Sequence, residues 1–62
     1  MTSDLRGKSI TRGDAVEVTV GARDGQRGIV AEVVKDDRYR IVLVAFGPGE
    51  TAWYGPDELV AS

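Results

Sequence analysis

Residues 13–30 read Gly-Asp-Ala-Val-Glu-Val-Thr-Val-Gly-Ala-Arg-Asp-Gly-Gln-Arg-Gly-Ile-Val. Val16, Val18 and Val20 recur at every second residue, the period of a half-buried strand. Gly21 and Gly25 then interrupt the run, and a second apolar run starts at Gly28. Two strand-like segments around a glycine-containing loop spell a β-hairpin. The first strand is expected over residues 15–20, with Val16 and Val18 inward and Glu17 and Thr19 outward. The loop is expected over residues 21–26.

Upstream, residues 1–9 are polar and lack periodicity, which predicts a flexible tail before a single domain over 10–62. Ile10 is expected to pin that tail to the core, and Thr11-Arg12-Gly13-Asp14 to turn into the first strand. Downstream, the second strand, 27–34, carries Ile29, Val30, Val33 and Val34, so strict alternation fails and a bend or bulge is expected, with Glu32 facing solvent. After a polar turn at Lys35-Asp36-Asp37-Arg38, residues 39–46 (Tyr-Arg-Ile-Val-Leu-Val-Ala-Phe) form the strongest strand. It is apolar on both faces beyond Arg40. One face meets the core; the other needs a neighbouring strand or a partner. Gly47-Pro48-Gly49 makes a sharp break before a fourth strand at 50–54. Gly55-Pro56-Asp57-Glu58 suits a single 3₁₀ turn, and Leu59 and Val60 form a very short fifth strand. No stretch shows a helical stripe. The chain is therefore expected to be all-β, a small five-stranded antiparallel barrel, because a flat sheet would leave two exposed edges.

Composition narrows the chemistry. The 62 residues begin at Met1 and are expected to be one whole single-domain product. A chain of this size buries only about 60% of its unfolded surface. It has no cysteine and no histidine, which excludes disulfides, thiolate or imidazole metal sites and His-based acid–base chemistry. Neither a catalytic residue, a metal ligand nor a cofactor is expected. Asp36 and Asp37 are neighbours in a turn, whereas catalytic carboxylates face each other across a cleft. The glycines spell no phosphate loop. The net charge of −2 argues against nonspecific DNA binding. Residues 1–31 hold five basic against four acidic groups, and residues 32–62 hold three against six. No apolar run approaches the roughly 20 residues of a membrane span, and no signal-peptide core is present, so a cytoplasmic location is expected.

Gly13-Asp14-x-Val16-x-Val18, then Gly21, then Gly28-x-Val30, resembles the KOW motif of ribosomal proteins and transcription elongation factors. Downstream, Tyr39 to Gly47 and Ala52 to Leu59 are similar to the C-terminal KOW domain of NusG-type factors, with Phe46-Gly47 ending a strand and Leu59 as the closing apolar residue. The resemblance spans roughly residues 12–60. It implies an SH3-like barrel whose loops touch RNA or protein. The loop positions that carry over are Ala22, Arg23, Asp24 and Arg27 in the first loop and Phe46, Pro48 and Gly49 in the later one. NusG-type factors carry a further N-terminal domain that holds polymerase, which is not expected here, and ribosomal KOW proteins are strongly basic, whereas these 62 residues carry a net charge of −2.

Six residues form the candidate binding set: Arg23, Arg27, Phe46, Pro48, Trp53 and Tyr54. Trp53 and Tyr54 are adjacent, so a strand turns them to opposite faces, one to the core and one to solvent. Either could be the exposed one, and an exposed aromatic is a common interface anchor. Phe46 serves core packing or an apolar loop contact. Arg23 and Arg27 flank the glycine loop, as solvated charges or as contacts to phosphate or an acidic partner. Arg38 and Arg40 either stack on bases or pair with Glu32 across strands.

Three function classes follow. The first is a small non-enzymatic binding module or adaptor, linked to transcription or translation, that engages protein first and RNA second through the Arg23–Arg27 loop and the Phe46–Tyr54 side. The second is a homo-oligomeric assembly protein, because the third strand is apolar on both faces and the core is small. The third is an enzyme: some plasmid-borne dihydrofolate reductases are SH3-like barrels with one active site at the centre of a tetramer, and residues 49–59 are loosely similar to theirs. Thr51-Ala52-Trp53-Tyr54 stands here in place of their ligand-contacting Val-Gln-Ile-Tyr run.

Overall fold

A computed structural model describes residues 10–62. The expected flexible tail at 1–9 lies outside the described residues. The described chain is all-β: β1 (Ala15–Val18), β2 (Arg27–Lys35), β3 (Arg40–Gly47), β4 (Glu50–Tyr54) and β5 (Leu59–Ala61), with 3₁₀ turns at Gly21–Arg23 and Pro56–Glu58. All pairings are antiparallel, in the order β4-β3-β2-β1-β5. No helix among the described residues is long and apolar enough to cross a membrane.

The opening hairpin forms where the valine alternation places it. Val16 and Val18 are buried and Glu17 is half-exposed. β1 ends at Val18, two residues earlier than the alternation predicts. The Val18 carbonyl accepts the Gly25 N–H (2.7 Å), and the Thr19 N–H and Oγ1 both donate to the Glu58 carbonyl (3.0 Å each). The chain then leaves the ladder for the first 3₁₀ turn, which the sequence reading treated as plain loop, and Val20 is left exposed.

β2 contains the expected bulge. Its register against β3 steps from Val30↔Val44 to Glu32↔Leu43, so Ala31 is the extra residue. The inserted residue turns both Val30 and Val33 toward the core, which strict alternation could not do. It also turns Glu32 and Val34 outward, to the side that Ile29 already faces. β3 and β4 are joined by Pro48-Gly49, where Gly49 has φ +72°, the left-handed conformation that favours glycine.

The core comprises Ile10, Val16, Val18, Val30, Val42, Val44 and Leu59, with Val33, Phe46 and Tyr54 packed against it. Ile10 does pin the start of the domain. Thr11 and Asp14 close the entry turn, the Thr11 N–H donating to Asp14 Oδ2 (2.9 Å). Each buried valine contributes roughly 1.5–3 kcal/mol relative to its exposed state.

The five antiparallel strands match the sequence reading, but the sheet is not closed into a barrel. Among the described residues, β4 pairs only with β3, and β5 only with β1. The segment between them is taken up by the second 3₁₀ turn, which touches both β3 and β5. Glu58 fixes that turn: its Oε1 accepts the Gly55 N–H (2.8 Å) and its N–H donates to the Gly55 carbonyl (3.0 Å). The sheet curls enough to bring Leu59 of β5 into one core with Val42 of β3, while among the described residues β4 and β5 each have one neighbouring strand.

Candidate functional site

The six candidate residues separate into two clusters on opposite faces of the curled sheet, with Pro48 exposed at the tip of the β3–β4 hairpin.

The first cluster is Arg23, Phe46 and Tyr54, on the rim of the core side. The Arg23 guanidinium carbon lies 4.3 Å from the centroid of the Phe46 ring. Phe46 meets Tyr54 edge-to-face, centroids 6.3 Å apart at 86°. Arg23 also donates from Nη1 to Gln26 Oε1 (3.2 Å). Two features allow this stack. The 3₁₀ turn lifts Arg23 toward β3, and Gly28 leaves room for the Phe46 ring: a β-carbon there would sit 2.5 Å from Val44 Cγ1, 2.8 Å from the Ala45 carbonyl oxygen and 3.0 Å from Phe46 Cδ1. The cluster therefore ties the first loop to the end of β3. Arg23→Ala is expected to cost about 0.5–1 kcal/mol of stability, and the loss should shrink in a Phe46→Leu background to what the Gln26 hydrogen bond contributes. A double-mutant cycle by chemical denaturation measures that coupling.

The second cluster lies on the outer face. Register places Ala15, Ile29, Ala45 and Thr51 in one row, Glu32, Leu43 and Trp53 in the next, and Val34 beside Ile41 in a third. Trp53 is 47% exposed, Ile29 48% and Val34 40%, so an apolar patch spans β2, β3 and β4. Trp53 is thus the solvent-facing aromatic, and Tyr54 packs on the core. Arg27 borders the same face, opposite Glu17, with Nε 3.7 Å from Glu17 Oε1. So exposed a pair contributes on the order of 0–1 kcal/mol.

The sequence reading named Trp53 but missed Ile29, Val34 and Leu43 as its neighbours. The signal was available in the apolar residues on both sides of the bulge, combined with the second apolar face of β3. The suggested Glu32 pairing of Arg38 and Arg40 is not favoured by the register, which sets Glu32 opposite Leu43 and Arg40 opposite Lys35, with Arg38 in the turn. Comparison with protein-family models, curated proteins and solved structures returns no match.

Proposed function

We propose that this chain is a non-enzymatic, KOW-like binding module that engages a protein partner through the outer face centred on Trp53. The observation that carries the reading is the half-exposed Trp53 indole set among Ile29, Val34, Ile41 and Leu43. Water-facing apolar surface concentrated in one patch marks an interaction site, and tryptophan is the most enriched anchor at such sites. A chain without histidine or cysteine supports binding rather than catalysis. RNA is the less favoured ligand. Arg23 is engaged with Phe46 and Gln26, Arg27 lies beside Glu17, and the net charge is −2.

The test compares proteins retained from the native host by the wild-type chain with those retained by Trp53→Ala and Arg23→Ala. Trp53→Ala is expected to weaken retention at least about tenfold, with its circular dichroism unchanged because the indole is outside the core. Arg23→Ala should retain the same partner. Equal affinity of Trp53→Ala and wild type for every retained protein would remove the outer face as the site.

A further inference from the structure

Asp24-Gly25 is the single Asp-Gly step of the chain, which has no asparagine. Both residues are exposed in the loop between β1 and β2. We infer that this step is a site of spontaneous isoaspartate formation, latched shut by the hydrogen bonds of the loop and by the stacking of Arg23 on Phe46.

The chemistry needs only these two residues and water. The Gly25 nitrogen attacks Asp24 Cγ. An N–Cγ bond forms, a Cγ–O bond breaks, and the carboxylic OH leaves as water with the Gly25 amide proton. Water then opens the cyclic imide. Entry at the Asp24 backbone carbonyl leaves the main chain running through Cβ and Cγ, which is isoaspartate. Nothing is oxidised or reduced, and the mass returns to its starting value. Glycine favours the step because it has no side chain to crowd the attacking nitrogen and leaves the backbone free to rotate.

Three features of the fold hold the reaction off. The first is the backbone angle. Asp24 has φ −50° and ψ 126°. Ring closure needs the Gly25 nitrogen nearly eclipsed with Cβ across the Cα–C bond, and this ψ turns it away. The second is the amide itself. The Gly25 N–H donates to the Val18 carbonyl (2.7 Å), beside the Val18 N–H to Gln26 carbonyl bond (2.9 Å). Ring closure removes the proton that the first bond uses and takes the donor from the Val18 carbonyl, a cost in free energy at a residue with no exposed surface.

The third is a bracket around the step. The Gln26 N–H donates to the Arg23 carbonyl (2.8 Å), and Arg23 Nη1 to Gln26 Oε1 (3.2 Å). The Arg23 guanidinium carbon lies 4.3 Å from the Phe46 ring centroid. Rotating Asp24 ψ swings Gln26 away from Arg23, so either the bracket and stack release or Gly25 leaves Val18. The reactive state is a locally open loop. Isoaspartate then inserts an extra main-chain carbon between Arg23 and Gly25, so the original pairing cannot be remade with Arg23 on Phe46. A transient opening becomes a permanent one.

Prolonged incubation of the full chain at neutral pH tests the proposal, natively folded and in denaturant. Isoaspartate is read by methyl transfer from S-adenosylmethionine with an isoaspartyl methyltransferase, and its position by peptide mapping. It is expected at residue 24, and Asp24→Glu should abolish it. The native rate should be at least about tenfold below the denatured rate. Arg23→Ala and Phe46→Leu should each raise the native rate about two- to fivefold, the worth of an exposed cation–π contact expressed as an opening equilibrium. Neither should change the denatured rate. A native chain that forms no isoaspartate at residue 24, while the denatured chain does, overturns the site. Equal native and denatured rates overturn the latch. Native rates of Arg23→Ala and Phe46→Leu equal to wild type overturn the role of the stack.

Discussion

Gly28→Ala is expected to destabilise the domain by about 2–3 kcal/mol, and Gly28→Val to leave it unfolded. Gly28 lies on β2 opposite Val16, on the core side, where β3 leans over it. The new methyl would need to occupy space already held by Val44 Cγ1 at 2.5 Å and the Ala45 carbonyl oxygen at 2.8 Å. Neither can retreat cheaply. Val44 is fully buried and β-branched, so its χ1 has little freedom. The Ala45 carbonyl belongs to a strand paired on both sides, with Ile29 and with Thr51. The accommodation left is to push β3 off β2, which also draws Phe46 away from Arg23. A chain of 62 residues has roughly 3–9 kcal/mol in all, so this one methyl takes a large share. Urea denaturation at fixed protein concentration measures it, with the midpoint falling and the slope unchanged. A Gly28→Ala variant within about 0.5 kcal/mol of wild type would show that β3 does not press on this backbone.

Much of this architecture is legible in the sequence because its determinants are local. Valine alternation sets the inward face of β1, glycine and proline mark the turns, and Pro56-Asp57-Glu58 marks the 3₁₀ turn before β5. The bulge is legible too, since Val30 and Val33 cannot both face inward without an added residue. Three features are not local. Barrel closure depends on how far the sheet coils, and the β4–β5 gap is set by a turn whose span no periodicity encodes. The pairing of Arg23 with Phe46 joins residues far apart in the chain, made adjacent by the space above Gly28. The outer patch follows from register: only once Glu32 is set opposite Leu43 do Ile29, Val34 and Trp53 fall on one face. Trp53 was readable as one of two candidates, and strand parity alone could not choose between it and Tyr54. The choice is made by β3, which turns Val42 inward opposite Tyr54 and Leu43 outward opposite Trp53.

Leu59→Ala should cost about 2–5 kcal/mol, enough to unfold much of the population at 37 °C. Leu59 has no exposed surface and is the only core side chain that β5 supplies. It sits opposite Val18 and packs in one cluster with Val42 and Val44, so it holds the curled end of the sheet onto β3. Alanine leaves a void that three-residue β5 cannot refill by shifting, because its register is pinned at both ends. The Ser62 N–H donates to the Ala15 carbonyl, and the Thr19 N–H to the Glu58 carbonyl (3.0 Å each). If those bonds release, the Thr19 and Ser62 amides should lose hydrogen-exchange protection before the β2–β3 amides do. Leu59→Met conserves volume and should cost less than about 1.5 kcal/mol. Val60, the outward neighbour on the same strand, should tolerate alanine far better than Leu59. Equal losses at Leu59 and Val60 would mean that β5 contributes its backbone ladder rather than one buried side chain. The asymmetry expected here instead makes Leu59 the residue that converts an open five-stranded ladder into a curled domain with a core.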